Sequence, residues 1–334
     1  MSPARTGRSA SRLIQLLLGL LLLAGAGFGL WQALHAHAAE LLRLVARPGA
    51  PLWLGMALAV EAGGLYLSAH AWRKVSACLG YPLRARSALR IFSAAMLSKY
   101  IPGLTWSAIA SVQFGLGAGV PAARMIGTYV LSSVIALVTA TMVGLLAAPT
   151  VLAGAVVWVA PALTAVLLLL WRPALIMRLT ALAARAAHRP MPALRIRPDH
   201  LRRAILLELC SWLVSGIHVW LIARVLGVFS PRAMLVCLGG FALATVAGAL
   251  VLVAPDGLGA RELVLMGALS TVMTWRQAAA AVLASRVCCT VAEVVGGGMV
   301  LLLSTQRAGG RPATTGTRAH EEPGNAASMV RLDR

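Results

Sequence analysis

An all-α polytopic membrane protein is the fold class this 334-residue sequence predicts, with about six spanning helices and two re-entrant broken-helix hairpins in an inverted repeat. Three observations predict it. Charged residues make up only 12% of the chain, about half the usual share of a globular domain and too little to cover a soluble surface. Hydrophobic residues reach 59% and the mean hydropathy is +0.82, and apolar runs of roughly 18 residues or more recur along the chain, each long enough to cross a bilayer core. The basic residues, which leave a net charge of +20, sit in short clusters between those runs. With aromatics at only 5%, that pattern is the positive-inside signature of a membrane protein and excludes a nucleic-acid surface.

The first apolar run covers residues 13–34, preceded by Arg5, Arg8 and Arg12. Ala36-His37-Ala38 resembles a signal-peptidase site, but the run is longer than an ordinary signal core and reads as an uncleaved anchor. A second run, 51–72, carries Glu61 and leads into a basic loop with Arg73, Lys74, Arg84, Arg86 and Arg90. The stretch that follows is broken: 88–101, then Pro102-Gly103, then 104–118. At about 1.5 Å per residue neither piece spans a core of about 30 Å. Pro102 removes a helix donor and Gly103 favours a turn, so a re-entrant hairpin with its tip at Pro102 is expected. Broken backbone survives at that depth only inside protein or beside a wet cavity.

Two full runs follow, 125–147 and 151–171, joined at Pro149. Residues 172–203 are polar with eight arginines; within them 178–188 reads either as an amphipathic helix on an anionic leaflet or as a solvated loop. The second half runs 204–226, 233–254, a Pro255-Asp256-Gly257-Leu258-Gly259 break, 260–274, and a last run 277–303. The tail 304–334 has the composition of a disordered segment. With the N-terminus inside, 22 of the 30 basic residues fall on the cytoplasmic side, which predicts an N-in, C-in protein. The domain plan is therefore a basic N-terminus (1–12), a membrane domain (13–303) with its basic loop 172–203, and the tail. If the hairpins were pairs of full spans instead, eight or more spans would keep the same parity.

The two halves resemble each other. Glu61 with His70-Ala71-Trp72 and Leu79-Gly80 matches Glu208 with His218-Val219-Trp220 and Leu226-Gly227. Each then reaches a Pro/Gly break, and a shift of 153 carries Pro102 onto Pro255 and Ser132 onto Ser285. The repeats, about 51–147 and 204–303, begin on opposite sides of the membrane. Inverted repeats place a site near the midplane, between broken helices.

At the two breaks the chain resembles a known family. Lys99-Tyr100-Ile101-Pro102-Gly103-Leu104-Thr105-Trp106 is similar to the KYxPGKxW stretch of the flippase-like membrane domain. That domain, also called the lysylphosphatidylglycerol synthase transmembrane region, forms the membrane part of the multiple peptide resistance factor. The stretch from Ala254 to Glu262 is similar to its PGGLGxRE motif, and Arg286 stands where the family carries an arginine in the next helix. Leu104 replaces a basic residue and Asp256 replaces a glycine, so the headgroup handled is expected to differ. Only about 30 residues follow Leu303, so the resemblance implies a lipid translocator of the bacterial cytoplasmic membrane rather than an aminoacyl-transferring enzyme.

Ionisable residues at membrane depth are functional candidates by default. A lipid-binding site is expected from Lys99, Tyr100, Pro102, Gly103, Asp256, Gly257, Gly259, Arg261, Glu262 and Arg286, in which the cations hold a lipid phosphate. Glu61, Glu208 and Glu293 are candidate coupling carboxylates, with helix packing the competing reading for Glu61 and Glu208. His70/Trp72 and His218/Trp220 read as interfacial anchors, and Gly296-Gly297-Gly298 as a close-approach stripe. Cys78, Cys210, Cys237, Cys288 and Cys289 read as small packing residues. No zinc spacing, HExxH or nucleophile–base pair is present in the sequence pattern, so neither a catalytic residue, a metal nor a cofactor is expected. The expected partners are membrane lipids with an anionic headgroup, not nucleic acid. An accessory role beside a lipid-modifying enzyme or glycosyltransferase is the alternative function.

The orientation is testable by reporter fusion. A cytoplasm-dependent fluorescent protein after residue 334 should be bright, and an export-dependent phosphatase after residue 49 should be active; the opposite pair of results would reverse the topology.

Overall fold

The computed structural model describes residues 17, 24, 38–101, 105–147, 159–172, 175, 197–251 and 259–306. The expected first span apart from Leu17 and Ala24, the hairpin tip Pro102-Gly103-Leu104, the turn at Pro149, the 178–188 segment, Pro255 to Leu258 (with Asp256 and Gly257) and the tail from 307 lie outside the described residues. The elements are α1 (Ala38–Val45), α2 (Ala50–Cys78), α3 (Ala85–Leu97), α4 (Trp106–Leu116), α5 (Ala122–Ala147), α6 (Val159–Trp171), α7 (Pro198–Val225), α8 (Pro231–Leu250), α9 (Ala260–Leu269) and α10 (Trp275–Gln306). No strand occurs among the described residues. Five helices are long and apolar enough to cross a membrane: α2, α5, α7, α8 and α10.

Local chemistry sets the helix limits. α2 follows Gly49 at φ +75° and carries Pro51 in its first turn, where a missing donor costs nothing. It ends where Gly80, at φ +90°, donates to the Ala77 carbonyl and Tyr81 N–H donates to Ser76. α7 ends the same way: Gly227, at φ +87°, donates to Arg224, and Val228 N–H donates to Ala223. Only glycine enters this left-handed region without strain, so the matched Leu-Gly pairs are matched helix stops. α8 starts at Ser230, whose hydroxyl accepts from Ala233 N–H at 3.1 Å. α10 starts on a reciprocal cap between Thr274 and Gln277.

The first break runs through a 3₁₀ turn, Ser98–Tyr100. The Ser98 hydroxyl bridges it by donating to Ser107 on α4 at 2.9 Å. α3 and α4, at 13 and 11 residues, are each shorter than the roughly 20 residues a span needs. Around the second break the lengths are unequal, 20 residues in α8 and 10 in α9.

α2 and α7 form the most extensive helix pair. Ser68 on α2 meets Glu208 on α7 while Glu61 meets His218, so the two run antiparallel. α8 packs on α5 as α3 packs on α10, and α2 and α7 each also contact both α5 and α10. Glycines permit the closest crossings: a Cβ on Gly216 of α7 would lie 2.7 Å from the Leu238 Cα of α8, and one on Gly239 would strike Ala147 of α5. The largest buried cluster joins α7, α8, α9 and α10 around Ile222, Phe241, Leu265 and Leu269. Leu52, Leu167, Leu263 and Leu302 point outward with more than half their surface exposed. Such an apolar exterior is tolerated where lipid, not water, is the solvent.

The crossings can be tested one glycine at a time. Gly216→Ala should destabilise the detergent-solubilised protein by about 1–3 kcal/mol, because a backbone atom blocks the new methyl. Gly55→Ala, with nothing within 4 Å of its Cβ, should stay within about 0.5 kcal/mol of wild type. Equal thermal unfolding curves for both variants would refute the packing argument.

Candidate functional site

The α2–α7 crossing is where two carboxylates are buried. Gly64 lets the helices touch, since a Cβ there would collide with Ser215. The Ser211 hydroxyl donates to the Gly64 carbonyl at 2.8 Å. On one side of this contact lies Glu61, 3% exposed; on the other lies Glu208, 6% exposed. Each has a serine of the facing helix as a neighbour: Ser215 stands next to Glu61, and the Ser68 hydroxyl lies 3.1 and 3.2 Å from the two oxygens of Glu208. Burial of an ionised carboxylate is costly unless it is paired or hydrogen-bonded.

Beyond that shared pattern the two sides differ. Glu61 faces His218, which is fully buried, with Nδ1 3.1 Å from Oε2. The contact is off the hydrogen-bond axis: Nδ1 is hydrogen-bonded to the Ser215 carbonyl, and Glu61 Oε2 has no hydrogen-bond partner. It is therefore electrostatic. The other ring nitrogen, Nε2, hydrogen-bonds the Ser285 hydroxyl at 2.8 Å and lies 3.7 Å from Cys289 Sγ. The ring edge meets Phe241 with centroids 4.8 Å apart. Arg261 closes the cluster by donating to Cys289 Sγ at 3.4 Å and lying 5.2 Å above the Phe241 ring.

α10 threads this cluster to two others. Ser285, Cys289 and Glu293 recur every four residues, and so share one helix face. Arg286 pairs with Glu262 of α9, whose other oxygen accepts from Gly259 N–H at 2.7 Å. Seven residues on, or about 10 Å along the axis, Glu293 accepts from Lys99 Nζ and from the Tyr100 hydroxyl, each at 2.7 Å. One face of α10 thus ties both broken segments to the α2–α7 pair.

A cavity of about 330 Å³ opens on the Glu208 side. Glu208, Ser68, Ser132 and Lys99 contribute to its polar wall, with Ser107, Tyr129 and Ser133, and Trp72 and Phe92 to its apolar one. The Ser132 hydroxyl is buried and has no hydrogen-bond partner among the described residues. This volume lies in the range of small-ligand sites.

Of the residues expected to bind lipid, Lys99, Tyr100, Gly259, Arg261, Glu262 and Arg286 are described. They fall into three groups along α10, and the Lys99 and Arg286 groups each contain an ion pair. Pro102, Gly103, Asp256 and Gly257 lie outside the described residues. Glu61, Glu208 and Glu293 are buried, each in a different cluster. Gly297 does admit a close neighbour, Leu97 of α3, whereas Gly296 faces open space.

Three expectations need correction. His218 is not an interfacial anchor but a buried partner of Glu61, and Trp72 is buried against the cavity. Trp220 is half-buried beneath the Arg224 guanidinium, 4.9 Å from its ring centroid. Cys289 is not a packing residue alone, because it receives the Arg261 hydrogen bond. Glu61, His218 and Cys289 bring ligand atoms within 4.8 Å of one another, a grouping invisible to local spacing since the three come from distant helices. The donor set does not favour a divalent ion: Arg261 already supplies positive charge there, and the imidazole nitrogens are engaged with Ser215 and Ser285.

The sequence model of the family described as lysylphosphatidylglycerol synthase TM region matches residues 13–297, a stretch that contains all three clusters and the cavity. No curated protein gives a significant match.

The Glu61–His218 contact should behave as a coupled buried pair. Glu61→Ala and His218→Ala should each cost about 3–5 kcal/mol, and the double variant should cost at least about 0.5 kcal/mol less than their sum. Unfolding in detergent across the four proteins measures it; strict additivity would mean that the two side chains do not interact.

Proposed function

Because the chain belongs to the lysylphosphatidylglycerol synthase TM region family, we propose that it binds and translocates an anionic or amphipathic lipid across a bacterial cytoplasmic membrane, as a flippase-like protein and not as an enzyme making or breaking covalent bonds. One observation carries the reading: a single face of α10 gathers Lys99, Arg261 and Arg286 with their carboxylate neighbours, beside a cavity between helices that are otherwise apolar. Burying this many ionisable groups is expensive in a bilayer and has no packing benefit that leucine would not supply.

The inverted repeat belongs to the same reading. A shift of 147 carries Glu61, Ser68 and Leu79-Gly80 onto Glu208, Ser215 and Leu226-Gly227. The contacts obey the same exchange: Glu61 with Ser215, Glu208 with Ser68, and Gly64 with Ser211 on the axis itself. The partner swap α3–α10 for α8–α5 extends it to the outer helices. A two-fold relation between antiparallel halves supports alternating access, in which one half rocks against the other around a site at their interface. In that mechanism the ion pairs Lys99–Glu293 and Arg286–Glu262 hold the empty state, and a lipid phosphate competes for the cations. The pairing lowers the cost of keeping charge at depth until the headgroup arrives.

The experiment is translocation of an acyl-labelled lipid in proteoliposomes. Lys99→Ala and Arg286→Ala should each slow it by at least about tenfold, the loss of a charged contact of about 1.4 kcal/mol, with expression and elution profile unchanged. Wild-type rates in both variants would remove these cations from the site.

A further inference from the structure

The pseudo-two-fold relation exposes a difference between the halves. A shift of 147 for α2/α7 and of 153 for α5/α10 pairs five positions around each buried glutamate. The six-residue difference falls in the stretch that holds α3 in one half and the longer α8 in the other. In one half the set is Glu61, Ser215, His218, Ser285 and Cys289, packed into a closed network. In the other it is Glu208, Ser68, Ala71, Ser132 and Ala136, and all five line the 330 Å³ cavity. The glutamate and both serines are kept. The imidazole and the thiol are replaced by two alanines, and the space they would fill is open.

What the removed groups supplied can be read from the filled half. There the imidazole lies against the Glu61 carboxylate and hydrogen-bonds the Ser285 hydroxyl, and Arg261 adds positive charge through Cys289. In the hollow half Glu208 has the Ser68 hydroxyl and, among the described residues, no ion-pair partner. The Ser132 hydroxyl, counterpart of Ser285, has no partner among them. Lys99 reaches the cavity, but its ammonium is engaged with Glu293. The missing piece is therefore a nitrogen cation with N–H donors, small enough to sit where an imidazole sits in the other half. A buried carboxylate and an orphaned hydroxyl are the two acceptors such a group would satisfy.

We infer that the Glu208 cavity is a binding site for a protonated amine, held between the Glu208 carboxylate and the Ser132 hydroxyl, with His218 acting as its built-in mimic in the opposite half. This rests on the lipid-handling reading above and narrows it: the ligand carries an ammonium as well as the phosphate that the cations of the α10 face would hold. The ammonium could belong to a zwitterionic lipid headgroup or to a small free amine.

The test uses the full-length protein in dodecyl maltoside, with acyl-labelled phosphatidylethanolamine and phosphatidylglycerol as probes, read by fluorescence anisotropy. The wild type should bind the ethanolamine lipid at least about tenfold more tightly, the worth of one charge-assisted contact. Glu208→Gln should remove that preference. Ala71→His, which copies His218 into the cavity, should remove it too, with a monodisperse elution profile as the check on folding. Displacement of the label by free ethanolamine identifies a soluble amine as sufficient; its failure identifies the lipid headgroup. No preference in the wild type, or a preference that survives Ala71→His, overturns the inference. The two readings fail separately: lipid translocation without amine preference sinks only this one, whereas amine binding without translocation sinks the function proposed above.

Discussion

A carboxylate in the apolar middle of a helix bundle has to find donors or positive charge within the protein, because neither water nor lipid supplies them. Glu61 and Glu208 impose that requirement at one helix crossing, and the surrounding arrangement follows from it. The missing side chain of Gly64 brings α2 and α7 close enough for each glutamate to reach a serine on the opposite helix. Once two antiparallel helices exchange contacts in this way, the outer helices repeat the exchange, with α3 on α10 and α8 on α5.

α10 shows how the cost of buried charge is limited. Its polar residues occupy one face, while Val295, Met299 and Leu302 are exposed. Each polar group on that face is matched locally: Arg286 by Glu262, Glu293 by Lys99 and Tyr100, and the Cys289 sulfur by Arg261. These contacts also fasten the segments beside the two breaks, which have little helix of their own to hold them. The 3₁₀ turn at Ser98–Tyr100 ends in a lysine and a tyrosine directed at Glu293, and α9 starts on a glycine capped by the same Glu262 that pairs with Arg286. The same side chains secure the 3₁₀ turn and the start of α9 and place charge beside them.

On the proposed pairing, the two halves keep a common frame and differ in what fills it. The frame is the pair of glutamates, their serines and the Leu-Gly helix stops, all governed by backbone geometry. The filling is a handful of side chains on α2, α5, α7 and α10. A histidine in one place and an alanine in its counterpart separate a closed network from a cavity.

By itself the sequence determined the class of the protein and the layout of its helices, because a bilayer demands long apolar runs and those runs are visible one residue at a time. The runs at 51–72, 125–147, 204–226 and 277–303 correspond to α2, α5, α7 and α10, whereas 233–254, expected as one limb of a re-entrant hairpin, corresponds to α8, which is long and apolar enough to cross a membrane. Helix ends were harder to place: α2 continues through Cys78, six residues past Trp72, because the Leu79-Gly80 stop and not polarity ends it. The charged residues of the site were legible individually, since ionisable groups stand out against leucine and alanine. Their partners were not. Glu61 with His218, Lys99 with Glu293 and Arg286 with Glu262 join residues far apart in the chain, and His218 beside Trp220 carried the local appearance of an interfacial pair. Under the proposed pairing of halves, the tandem His-x-Trp match draws His218 onto His70, one position away from Ala71. Only the tertiary structure decided that register, because it is set by which atoms meet across an antiparallel crossing. The difference between a filled half and a hollow one follows from that register alone.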